Sequence, residues 1–164
     1  ITASKLVELQ RELSQLRTLI SPVNRTAKEA SARRLASFVM LNPNSEDYAG
    51  RLNELLEKML ENDPLRDNIL LAQAELVDDD QLQADKLSEL HKKYQNTDGG
   101  MNALYELGLL KIRLWRQQSD SNPEQKKKCL FDARATLSDF LKLYPTSFYS
   151  EQVKKNLDNL PTAQ

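Results

Sequence analysis

The stretch from Leu35 to Ser45, Leu-Ala-Ser-Phe-Val-Met-Leu-Asn-Pro-Asn-Ser, returns without a gap from Leu137 to Ser147 as Leu-Ser-Asp-Phe-Leu-Lys-Leu-Tyr-Pro-Thr-Ser. After a shift of one residue the match continues, with Tyr48, Leu52, Leu56 and Met59 answering Tyr149, Val153, Leu157 and Leu160. A third copy lies between them. Leu87, Leu90, Tyr94 and Thr97 precede Leu137, Phe140, Tyr144 and Ser147 by a constant interval, and Ala103, Leu107 and Leu110 then answer Val153, Leu157 and Leu160. A helix, a turn and a second helix that recur in this way form a unit that buries its apolar face only against a neighbour, which is how a solenoid is encoded.

The helical reading follows from side-chain shape and spacing. Leu occurs 29 times against nine for Val and Ile together, and this bias away from β-branched residues favours helix over strand. Apolar residues at i, i+3 and i+4 spacing, divided by capping and turn signals, give about eight helical segments over the 164 residues. The first, near 3–20, carries a seam of Leu6, Leu9, Leu13, Leu16 and Ile20 that ends at Ser21-Pro22. Thr26 and Glu29 read as a capping box for a helix to about Leu41, and a third segment spans about 46–61. Asp63-Pro64 reads as a cap followed by a first-turn proline for a fourth helix to about Val77, and the three aspartates at 78–80 cap a fifth that presents Leu82, Leu87, Leu90 and Tyr94. Asn96 to Gly100 reads as a turn before a sixth helix over about 100–118, in which Gly108 is the internal glycine. Ser121-Asn122-Pro123 opens a seventh that runs to Tyr144, and Pro145-Thr146-Ser147 introduces the eighth. With short loops throughout, 1–164 is expected to form a single helical-repeat domain, with 1–22 as its N-terminal helix and 26–61, 80–118 and 123–160 as repeat-like pairs.

At these residues the chain resembles the tetratricopeptide-repeat superfamily. Leu104, Leu107 and Gly108 look like the signature positions of a repeat's first helix, and Ala133, Leu137, Phe140 and Pro145 like those of its second. The segment Trp115–Lys128 departs from the family by lengthening the unit beyond the usual period. That elongation, with Asp120 to Gln125, Ala133 to Phe140 and Tyr144 to Val153, resembles bacterial outer-membrane assembly lipoproteins of the BamD/ComL type. The resemblance implies an all-α, right-handed solenoid of antiparallel helix pairs, a protein or peptide partner, and a place in the periplasm or cell envelope. It also implies that a repeat's first helix lines the groove, which nominates Asn102, Tyr105, Leu109, Ile112 and Arg113 for partner contacts.

Charge and chemistry narrow the function classes. Lys and Arg total 23 against 24 for Asp and Glu, so the net charge of −1 offers no bulk attraction for nucleic acid. The longest nearly apolar run, Leu35–Leu41, is far shorter than the roughly 20 residues that span a bilayer. The chain opens at Ile1, which leaves an upstream signal peptide, lipid anchor or further domain as an expectation. His91 is the sole histidine and Cys129 the sole cysteine, so neither has the companions that a zinc site or catalytic triad needs. Asp78, Asp79, Asp80 and Asp85 lack the glycine and glutamate of a calcium loop and read as helix caps, and Lys126 to Lys128 read as a solvated face. Trp115 reads as helix packing, with a partner anchor as the alternative. The expected function is therefore a non-enzymatic interaction or scaffold module without catalytic residues, metal or cofactor. The alternative is a structural oligomer assembled through the N-terminal leucine seam.

Overall fold

A computed structural model describes residues 28–162, and the leucine seam, the Thr26 cap and the expected first helix lie outside the described residues. The described chain is all-α, with seven helices and no strand: α1 (28–39), α2 (Tyr48–Glu57), α3 (Arg66–Glu75), α4 (Asp80–Lys93), α5 (Asp98–Gln117), α6 (Pro123–Leu143) and α7 (Ser150–Asp158). The chain divides between Arg51 and Leu52 into two compact units. In the second unit α3 packs on α4 and α5, α4 on α5, α5 on α6, and α6 on α7.

Side-chain caps set three helix starts. Asp79 Oδ1 accepts the Leu82 N–H at 2.7 Å before α4, Thr97 Oγ1 accepts the Gly100 N–H at 3.1 Å before α5, and Asn122 Oδ1 accepts the Gln125 N–H at 3.2 Å before α6, with Pro123 in its first turn. Each replaces an intrahelical acceptor that a helix start lacks. The entry to α3 differs from the expected cap. Helix begins at Arg66, and Asp63 instead accepts the Leu65 N–H within a turn that contains Pro64. The span 98–100 also departs from expectation, because it is the first turn of α5 rather than a loop. Thr97 caps there and moves the helix start ahead of the two glycines. Gly50 likewise lies in α2, so Gly108 is not the only helical glycine.

The repeated sequence produces a repeated turn. Ser45 N–H donates to Asn42 C=O at 3.0 Å and Tyr48 N–H to Ser45 C=O at 3.0 Å; Ser147 N–H donates to Tyr144 C=O at 3.2 Å and Ser150 N–H to Ser147 C=O at 3.1 Å. Pro43 and Pro145 therefore occupy the same position in the same double turn. Asp63 N–H to Leu60 C=O and Arg66 N–H to Asp63 C=O repeat the pattern before α3, at a place where the sequence comparison had no match. Tyr94 and Tyr144 end α4 and α6 alike, each donating its N–H four residues back, to Leu90 at 2.9 Å and Phe140 at 2.8 Å.

The core of the second unit gathers the repeat positions. Leu87, Leu90, Ala103, Leu107, Leu110, Leu137, Phe140, Val153 and Leu160 are all buried in one cluster. Leu52 and Met59, the counterparts of Val153 and Leu160, are buried too. Leu82 departs from the expected inward face and is 50% exposed, since it sits in the first turn of α4. Gly108 faces α6: a Cβ built on it would lie 2.8 Å from Leu137 Cδ2. That close approach offsets a helix-propensity cost of roughly 1 kcal/mol.

Candidate functional site

α5 has neighbours on most of its circumference. Gly99 faces Asp67 of α3, Arg113 reaches Asp80 and Gln83 of α4, and Gly108 and Lys111 meet Leu137 and Thr136 of α6. At about 100° per residue, one strip of α5 carries Asn102, Tyr105, Glu106, Leu109 and Arg116, with Arg113 at the point where it reaches α4. None of these six is fully buried. The strip is the least covered face of α5, although Tyr105 and Leu109 still pack against the core cluster.

The five nominated residues take distinct places. Asn102, Tyr105 and Leu109 share the open strip and are half-buried, and the Asn102 Oδ1 atom is buried without a hydrogen-bond partner. Ile112 lies in the core cluster at the edge of the strip. Arg113 is exposed, and its guanidinium donates to Asp80 Oδ1 at 2.6 Å and Gln83 Oε1 at 3.2 Å, tying α5 to the start of α4.

Tyr105 organises the middle of the face. Its ring stacks on Tyr149, with centroids 4.2 Å apart and planes 21° from parallel, and tilts against Phe140 at 6.0 Å. Phe148 meets Tyr149 edge-on at 5.5 Å and is 93% exposed. A continuous aromatic path therefore runs from solvent at Phe148 to the buried core at Phe140. Such offset and edge-on contacts stabilise beyond the area they bury.

Glu106 adjoins Tyr105 on α5, and its carboxyl lies in the field of Glu75 at the end of α3. Burial holds the Glu106 carboxyl above its ordinary pKa. Glu75, from α3, is raised first by burial and then by the Glu106 charge, which places the two acids within each other's field. The Tyr105 hydroxyl is raised by burial, then by Glu106 and Tyr149. The sequence reading missed Glu75, Glu106, Phe148 and Tyr149 as face residues. Glu106 was accessible to it, since it lies one helical turn from Asn102 and from Leu109; Glu75 was not, because only tertiary packing brings α3 beside α5.

The remaining chemistry-bearing residues have structural partners. His91 Nδ1 lies 3.1 Å from the Gly100 carbonyl, and its ring meets Tyr144 edge-on at 6.2 Å. Lys126 pairs with Asp120. Asp85 accepts from Gln81, and Cys129 Sγ accepts from Gln125 at 3.7 Å. Trp115 packs on the core cluster and lines a hollow with Pro123, Leu130 and Pro161. Among the described residues no group of three or more His, Cys, Asp or Glu side chains is arranged to hold a metal ion, and no helix is long and apolar enough to cross a membrane. No family model, curated protein or solved structure matches the chain.

Proposed function

We propose that this chain is a non-enzymatic protein-interaction module, a right-handed α-solenoid of tetratricopeptide-like antiparallel helix pairs that receives a peptide or protein segment on the open face of α5. The observation that carries this reading is that face itself. Asn102, Tyr105 and Leu109 line it, while every other side of the helix is occupied by α3, α4 or α6. The recurring double turns at Pro43 and Pro145 and the matched ends of α4 and α6 support the repeat architecture. The resemblance to outer-membrane assembly lipoproteins makes the bacterial envelope the proposed setting.

Selection from a random peptide library tests the function. Enriched peptides should lose at least about tenfold in affinity for Leu109→Arg, a substitution that places a long charged side chain on the face, with the variant's helical signal checked to show that it stays folded. Peptides that bind both proteins equally would place recognition elsewhere.

A further inference from the structure

Tyr94 and Tyr144 hold the same place in successive repeats and end α4 and α6 with the same backbone bond, yet their hydroxyls differ. Tyr144 donates its proton to the Gln95 carbonyl. The Tyr94 hydroxyl is closed off from solvent and has no hydrogen-bond partner among the described residues. A buried hydroxyl left in that state costs free energy that a fitting acceptor would recover. Lys93 stands over the same ring, its ammonium 5.5 Å from the ring centre, but an ammonium only donates and cannot take the phenolic proton.

The Tyr94 ring also walls a hollow of about 260 Å³ between α3 and α4, together with Leu70, Ala74 and Leu90. A cavity of about 150 Å³ takes a benzene ring, so this hollow has room for roughly ten non-hydrogen atoms. Its polar lining offers no net charge to an ion. Lys86 and Glu89 carry opposite signs, Lys93 is paired with Glu61 at 2.9 Å, and Gln73 donates to Asn53 at 2.6 Å. We infer that the hollow binds a small, uncharged carbonyl compound with an apolar body, whose oxygen takes the Tyr94 proton as Gln95 takes that of Tyr144. The apolar body lies against Leu70, Ala74 and Leu90. Lys93 swings off the ring to admit the ligand, and its ion pair with Glu61, exposed on both sides, restrains it weakly. This site is separate from the peptide face of α5 and does not depend on it.

Acetophenone and isopropenylbenzene are the probes, because they match in shape and differ in whether an oxygen or a methylene group occupies one position. Titrations of the whole chain, followed by backbone amide shifts, should place both at Leu70, Ala74, Leu90 and Tyr94, with the ketone binding at about 1 mM or tighter. Tyr94→Phe keeps the ring and removes the donor. It should weaken acetophenone at least about fivefold and leave isopropenylbenzene no weaker, so the change in their ratio measures the hydrogen bond apart from hydrophobicity. Without ligand, Tyr94→Phe should melt no lower than the parent, since the hydroxyl has no partner to lose. Benzoate, close in size but anionic, should bind more weakly than the ketone. Four results overturn the inference. They are an unchanged ketone-to-hydrocarbon ratio in Tyr94→Phe, a ligand-free variant that melts clearly below the parent, benzoate binding as tight as the ketone's, and no shifts at the hollow at about 10 mM acetophenone.

Discussion

The Tyr144 hydroxyl donates to the Gln95 carbonyl at 2.6 Å, joining the turn after α6 to the turn after α4. The two residues belong to successive copies of the same turn, so one hydrogen bond locks neighbouring repeats in register where the helices end. Burial also raises the Tyr144 pKa, its ring lying against Phe140 and His91. Tyr144→Phe keeps the ring and removes the donor. It should cost about 1 kcal/mol, with the Gln95 carbonyl partly rescued by water. Denaturant unfolding measures the loss, and a variant as stable as the parent would mean that the bond contributes nothing to register.

The glycines of α5 should respond to substitution according to what a Cβ would meet. At Gly100 it would lie 1.8 Å from the Tyr94 carbonyl oxygen, and no side-chain rotation relieves a clash with backbone. Gly100→Ala should cost about 2–4 kcal/mol. At Gly108 the obstacle is Leu137 Cδ2 at 2.8 Å, a methyl at the end of a rotatable side chain. Gly108→Ala should stay within about 1 kcal/mol of the parent, because better helix propensity offsets the crowding, and Gly108→Leu should lose about 1–3 kcal/mol by overpacking against α6. Thermal melts of the three variants test the ranking. Stabilisation by Gly108→Leu would remove the close contact between α5 and α6.

Glu106 gives a pH dependence with a defined sign. Its folded pKa lies above its ordinary value because burial disfavours the charged form, so the folded state holds the proton more tightly than the unfolded chain. The resulting stabilisation is fully present below the ordinary glutamate value of about 4.3 and is lost as pH rises through the raised folded value. Glu106→Gln removes that loss. The variant should melt above the parent at pH 7, and the difference should shrink toward pH 3. An equal difference at both pH values would show that the substitution acts through packing rather than charge.

Much of the fold was legible in the sequence because local chemistry determined it. Asp79 and Asn122 cap where their spacing predicts, and Gly108 faces Leu137 as the repeat requires. The misplaced features share a physical reason. Asn96 to Gly100 has the composition of a turn, yet Thr97 caps first and starts the helix at Asp98, and Gly99 and Gly100 are glycine there because Asp67 and the Tyr94 carbonyl leave no room for a Cβ. Asp67 itself, 2% exposed and accepting the Gly99 N–H at 3.2 Å, had no local signature, because its partner lies on another helix. The candidate site divides in the same way. Asn102, Tyr105 and Leu109 follow from the periodicity of one helix, whereas Glu75, Phe148 and Tyr149 join the face only through packing of α3, α5 and α7.

The most direct measurement of whether the open face of α5 is the binding surface is a backbone amide shift map of the whole chain, titrated with a peptide selected from the library. The account predicts that the largest shifts fall on Asn102, Tyr105, Glu106 and Leu109, with Glu75 and Tyr149 beside them. Shifts centred instead on the hollow between α3 and α4, at Leu70, Ala74, Leu90 and Tyr94, with the α5 strip unmoved, would contradict it.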